Sequence, residues 1–317
     1  MRTLHLHIGM PKTASTWLQD RVFPALPHLA VRSMPRTTLF RTPGDARAEN
    51  RVLGCVVRRA PSVWDAMGDR ILDVLEGGAV PPDRSLLVSD EAFGRAASRP
   101  QAVAAHLGAL RAAAARRGYG RVAVVVLLRR QDTWLASHYA QISDREPRAS
   151  QAGFEAMVDQ MIDPARGRYL AGMVIDYHAL VDALHGALGR DDVLALPHEA
   201  LVTEPEATLR RLLAALDTPA TDLERIVAEA GRSGAENRRA DGTGRWALRP
   251  RRILARGAPG RGIALPGWLA RERGRTIALT PALSGRILAA YGRGNAAAAA
   301  ATGLDLARHG YVPAEGP

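Results

Sequence analysis

Residues Arg121–Leu128 read RVAVVVLL, seven aliphatic residues in succession with no polar side chain to turn toward water. A strand of that kind is buried on both faces, and the usual setting for one is a parallel sheet with helices on either side. The run is far too short for the ~20 apolar residues of a membrane helix. Three further segments read as strands: Thr3–Gly9 (TLHLHIG), which alternates, Ser85–Val88 and Val193–Leu196. Helical patterns fill the intervals: Pro61–Leu75 ending at Gly77-Gly78, Gln101–Arg117 closed by Gly118, Gln131–Ile142, Phe154–Met161, Tyr169–Leu188, Glu206–Leu216 and Asp222–Ala230. The tail adds Ser284–Tyr291 and Asn295–His309, and Arg32–Asn50 reads as irregular. Strands separated by helices imply right-handed βαβ units. The expectation is one α/β domain over 1–317, a central parallel sheet flanked by helices in three layers. The Gly/Arg/Pro-rich stretch 231–267 would form a flexible lid. Ligands of such sheets bind at the carboxyl ends of the strands.

Charge narrows the ligand. Lys and Arg number 43 against 32 Asp and Glu, giving a net charge of +11. The arginines are scattered and aromatics make up only 5% of residues, which leaves few platforms for stacking bases. An anionic small ligand therefore fits better than nucleic acid. Cys55 is the single cysteine, so no disulfide framework or multi-cysteine metal cluster is available. Met1–Gly9 has no apolar stretch of signal-peptide length, and the chain reads as soluble and cytoplasmic. Lys12 is the only lysine. It stands in a Pro-Lys-Thr loop directly after the first strand. Arginine cannot replace lysine where one compact charge or proton donor is required, so the position is a candidate for chemistry.

The candidate site residues follow strands. His7–Trp17 is a strand, a tight loop and a helix start, with Ser15 or Thr16 available as N-cap. Successive N–H groups and the helix dipole make an anion site there. Thr13, Ser15 and Thr16 add hydroxyls and Lys12 a full charge. A Walker A loop would need a second glycine directly before Lys-Ser/Thr. Arg129 ends the apolar strand and Ser137 lies eight residues on, offering a guanidinium and a hydroxyl to a phosphate. Ser89-Asp90-Glu91 follows another strand and offers a carboxylate, Asp90 or Glu91, as a general base. His5 and His7 share one face of the first strand, as packed strand residues.

Pro11–Gln19 (PKTASTWLQ) resembles the 5′-phosphosulfate-binding loop of PAPS-dependent sulfotransferases, usually Pro-Lys-Thr-Gly-Thr-Thr. Ala14 and Ser15 replace Gly and Thr; alanine is tolerable if its φ stays negative. Arg129 and Ser137 match the Arg and Ser that hold the 3′-phosphate in that family. The resemblance runs discontinuously from residue 3 to 311 and is strong at Pro11–Gln19 and Arg129–Gln141. It implies a P-loop-like fold and a bacterial, carbohydrate-type sulfotransferase. PAPS would be the co-substrate and PAP the product, with no metal required. Pro11, Lys12, Thr13, Ala14, Ser15 and Thr16 would hold the 5′ end. Lys12 would stabilise the leaving oxygen, and Glu91 would take the proton of a carbohydrate or small-metabolite hydroxyl or amine. His198 stands where the family has a Tyr beside adenine, and residues 237–262 only loosely echo its closing segment. A P-loop-like kinase or NTPase, or a non-catalytic nucleotide- or polyanion-binding protein of this fold, is the alternative.

Overall fold

The computed structural model describes residues 1–40, 49–78, 80–95, 99–146, 149–166, 168–170, 173–232, 244–249, 252–254, 262–264 and 275–313. Five parallel strands form the central sheet: β1 (Thr3–His7), β2 (Leu29–Ser33), β3 (Ser85–Ser89), β4 (Arg121–Leu128) and β5 (Val193–Pro197), in the order β2-β3-β1-β4-β5. Every residue of β4 after Arg121 is buried, as its composition requires. Alternation sends Val122, Val124, Val126 and Leu128 into one apolar cluster and Val125 and Leu127 into another.

The first cluster joins β1, β3 and β4 to α2 (Val63–Glu76), α3 (Pro100–Arg116) and α6 (Tyr177–Leu188). On the opposite face lie α1 (Ser15–Trp17, continuing helically through Ala25), α7 (Pro205–Ala215) and α8 (Ala220–Arg232). A third cluster forms around α4 (Gln131–Ile142) and α5 (Gln151–Ile162). It takes in Met10, the antiparallel pair β6 (Arg245–Ala247) and β7 (Thr276–Ala278), and α9 (Pro281–Thr302). The three-layer expectation is met. The proposed lid falls largely outside the described residues; its described parts are the end of α8, residues 244–249, which contribute β6 with Trp246 buried against α4, and the short antiparallel pair Arg252–Leu254 with Gly262–Ala264.

Three elements differ from the sequence reading. β2 is absent from the sequence reading and runs two residues into the stretch read as irregular, which also holds most of the short pair Arg36–Thr37 with Asn50–Arg51; β2 is an edge strand with only its first residue buried and so no strong apolar signature. The helix expected from Tyr169 starts at Tyr177, because the Asp176 carboxylate accepts the Ala179 N–H (3.2 Å) and caps it. Before it, Tyr169–Leu170 pairs antiparallel with Met173–Val174. The two tail helices are one, α9, capped by Thr280 and ending at Gly303 in the left-handed region (φ 69°). Its Gly292 is there for close packing: a β-carbon would come 2.9 Å from Pro313.

Buried polar groups fasten α9 to the head of α4. Gln131 and Asn295, both fully buried, exchange amide hydrogen bonds (2.7 and 3.0 Å). Asn295 also donates to the Tyr311 carbonyl (2.8 Å) and Gln131 to that of Ile175 (3.2 Å). Such a network is favourable only when every member is satisfied, which specifies this packing over others.

Candidate functional site

After β1 the chain runs to β2 and β3 on one side of it, then to β4 and β5 on the other. The order of the sheet therefore reverses at β1, where open α/β sheets open a crevice at their carboxyl edge. The segments after β1, β3 and β4 meet there. Ile8 N–H donates to Val125 O (3.0 Å) and Asp90 N–H to His7 O (3.0 Å), so all three leave the sheet in register.

The loop between β1 and α1 has an unusual backbone. Lys12 (φ 72°) and Ala14 (φ 63°) both lie in the left-handed region, with Thr13 between them at negative φ. Alternation of that kind turns successive N–H groups toward one concave side, the geometry of an anion nest. The condition of a negative φ at Ala14 is thus not met: the loop demands a left-handed residue and alanine adopts it at a cost of roughly 1–2 kcal/mol. We expect Ala14→Gly to raise the unfolding free energy by about 1 kcal/mol in urea titrations; a loss of stability would contradict the assigned backbone. The N-cap expectation is corrected as well. Ala14 is the N-cap of α1, and no side chain caps it, so Ser15 and Thr16 sit inside the first turn. Its leading N–H groups therefore receive no side-chain acceptor, which suits an external anion.

Neighbours impose this shape. Trp134 Nε1–H donates to Pro11 O (2.8 Å) and Arg129 Nη1–H to Lys12 O (2.7 Å), while the Thr13 hydroxyl donates to Met10 O (2.5 Å). Gly94 packs flat on the other side, where a β-carbon would meet Ile8 O at 3.2 Å. The hydroxyls consequently differ in use. That of Thr13 is spent on the loop, Thr16 is exposed, and Ser15 is buried with no hydrogen-bond partner among the described residues.

Arg129 leaves the end of β4 with its backbone N–H donating to the Tyr177 hydroxyl (3.1 Å) and Nε near Thr133 Oγ1 (3.4 Å). Thr133 is one helical turn before Ser137, so the two share one stripe of α4, with the Arg129 side chain reaching its N-terminal end at Thr133. Ser137 faces a cavity of about 280 Å³ between Ala140 and Gln141 of α4 and Trp246–Arg249. Arg249, absent from the sequence-derived set, lines it, and its backbone N–H is held by Ser143 Oγ (2.8 Å). The signal was hidden in an arginine-rich segment where no single arginine stood out. His198 lies beside Arg129, whose charge adds to burial in lowering the imidazole to about 3.

After β3, Asp90 and Glu91 separate in character. Asp90 is 1% exposed; its Oδ1 accepts the Ala92 N–H (2.9 Å) and lies 3.7 Å from Arg51 Nη1. Burial raises its carboxyl to about 6. Glu91 is half-buried and reaches the surface. His138 stacks on Trp134 (4.9 Å, 11°), and burial together with the charges of Arg95, Lys12 and Arg145 lowers it to about 4. The site is thus a cationic crevice with one buried and one accessible carboxylate.

No family model and no curated protein matches the chain. Among solved structures it is similar to a sulfotransferase from Alicyclobacillus acidocaldarius: 14% identity, 97% of this chain and 98% of that one, TM-score 0.52. A mouse sulfotransferase complexed with PAP matches at 12% identity over 93% of this chain and 88% of that one, TM-score 0.44. The sulfotransferase domain from the curacin biosynthetic pathway matches at 12% over 90% of each chain, TM-score 0.36. The first likeness establishes the fold: this chain has the fold of a sulfotransferase. No helix among the described residues is long and apolar enough to cross a membrane.

Proposed function

We propose that the chain is a PAPS-dependent sulfotransferase acting on a hydroxyl or amine of a carbohydrate or small metabolite. The observation that carries this reading is the hydrogen bond from Arg129 to the carbonyl of Lys12. It joins the residues proposed for the two ends of a 3′,5′-bisphosphorylated nucleotide in one crevice. The uncapped, left-handed loop suits the 5′ anion, and Arg129, Ser137 and Arg249 suit a 3′-phosphate. PAPS bound there would supply the sulfuryl group. Lys12 would meet the charge developing on the leaving oxygen, an interaction worth most in the transition state. Thr16 and the loop N–H groups would orient the 5′ end. Glu91 is the proposed base, since it is accessible to an acceptor while the Asp90 oxygens are closed in.

The direct test is PAP release from PAPS in EDTA, across a panel of sugar and small-metabolite acceptors. Acceptor-dependent release supports the reading; no PAP release with any acceptor, alongside ADP release from Mg-ATP in a parallel assay without EDTA, contradicts it. A second test separates the two ends of the nucleotide. Arg129→Gln should weaken PAP binding by roughly 10–100-fold, the worth of a charged hydrogen-bonding group, and AMP binding only a few-fold through the slackened loop. Equal losses for PAP and AMP in calorimetric titrations would remove Arg129 from the 3′-phosphate role.

A further inference from the structure

The catalytic scheme leaves one fully buried imidazole at the crevice unused. His7, the last residue of β1, is 1% exposed and lies edge-on to Phe23. Its Nδ1 is 2.8 Å from Ser89 Oγ, and that same oxygen accepts from Gln19 Nε2 at 2.8 Å. The Gln19 amide nitrogen also faces the Ser89 carbonyl (3.5 Å), an acceptor, which favours nitrogen over oxygen on that side. A hydroxyl that accepts from an amide must direct its own hydrogen elsewhere, and among the described residues the remaining partner within hydrogen-bond reach is His7 Nδ1. Ser89 therefore donates to Nδ1, and the neutral ring carries its proton on Nε2.

Nε2 is closed to solvent with no hydrogen-bond partner among the described residues, and so is Ser15 Oγ. The two flank one small space: a β-carbon on Gly9 would lie 2.8 Å from His7 Nε2 and 3.0 Å from Ser15 Oγ. Glycine at position 9 is what lets this donor and this hydroxyl face each other. No hydrogen bond joins the two, but with Nε2–H facing that space the Ser15 hydroxyl dipole is turned so that its oxygen lies toward the ring and its hydrogen away from it, toward the concave side of the loop. With the other tautomer, Nε2 would instead draw the Ser15 hydrogen inward.

We propose that Gln19, Ser89 and His7 form a polarised donor chain that turns the Ser15 hydroxyl toward a bound anion. His7 is then a positioning residue for anion recognition by residues 10–16. The inference rests on the reading of that loop as the PAPS 5′ site and extends it to residues outside the loop motif. Gln19 sets the direction, because an amide nitrogen can only donate. Cooperative polarisation along the Gln19–Ser89–His7 chain strengthens the dipole that its Nε2–H presents to Ser15. Burial also holds His7 down at about 4, so the ring stays neutral and the direction of the chain does not change near neutral pH. The same Ser89 precedes Asp90-Glu91, so the chain ties the donor loop to the proposed base segment.

Two measurements test it together. Long-range ¹H–¹⁵N spectra of the histidine rings should show His7 as the Nε2–H tautomer in the wild-type protein. Gln19→Glu, whose carboxylate can only accept, should convert it to Nδ1–H. In calorimetric titrations with PAP, Ser89→Ala should weaken binding about tenfold and Ser89→Thr, which keeps the hydroxyl, should restore it. An Nδ1–H ring in the wild type overturns the proposal, as does PAP affinity unchanged in a folded Ser89→Ala protein. A wild-type protein that binds no PAP overturns the cofactor reading itself and, with it, the ligand assigned to the chain.

Discussion

Replacing Lys12 with alanine is expected to lower kcat by roughly 10²–10³-fold while weakening PAP binding only a few-fold. The asymmetry follows from where the charge is needed. Ground-state binding of a 3′,5′-bisphosphate is shared among loop N–H groups, Thr16, Arg129, Ser137 and Arg249. The developing charge on the leaving oxygen has one proposed point-charge partner. The backbone around Lys12 is built to hold that partner still: φ is 72°, and the flanking carbonyls are taken by Trp134 and Arg129. Residues in such strained conformations persist where their surroundings over-determine them, commonly at functional sites. Lys12→Arg should recover little activity, since a planar fork cannot occupy the place of an ammonium. Steady-state rates with PAPS and calorimetric PAP titrations on the same variants separate the two quantities; equal losses in both would remove the transition-state role.

Acid should destabilise this protein steeply between pH 6.5 and about 4. His5, His7 and His138 are each lowered to about 4, burial being the largest cause in every case. Below pH 6.5 the unfolded chain protonates these rings while the native state keeps them neutral. The unfolded state then binds more protons, so stability is full above 6.5 and falls as pH drops toward 4. At pH 5 the loss is on the order of 2 kcal/mol for each ring. Asp90, raised to about 6, acts in the opposite direction and offsets part of it, because its native carboxyl holds a proton that the unfolded one has released. Urea unfolding at pH 7.5, 6 and 5 measures the slope; a stability constant over that range would show that the three rings are not neutral in the folded state.

The parts of the fold legible in the sequence were those written in strong periodicity. β4 announces itself by an apolar run that has no polar alternative, and α2 by an amphipathic stripe closed at Gly77 in the left-handed region. The loop after β1 was legible because Lys12 is the only lysine and because the order strand, Pro-Lys-Thr, helix has few other uses. What was hidden depended on partners distant in sequence. β2 is a strand only because β3 offers it an edge to pair with. α9 runs through Gly292 and Gly294 because Pro313 and Asp176 press against them and the Gln131–Asn295 pair anchors that stretch. Arg249 reaches the Ser137 cavity through the pairing of β6 with β7, and no local pattern marks it. His7 was read as an ordinary strand residue, which its burial bears out. Its link to Ser89 and Gln19 arises from the parallel register of β1 with β3 and from the turn into α1.

The central claim is that this crevice binds a 3′,5′-bisphosphorylated nucleotide. Thermal unfolding with PAP, AMP and Mg-ATP in separate samples tests it most directly. A ligand at a hundred times its Kd adds roughly 2.7 kcal/mol to the folded state, a clear shift in Tm. Stabilisation by PAP, with little from AMP or Mg-ATP, is the predicted result; stabilisation by Mg-ATP but not by PAP would contradict the account.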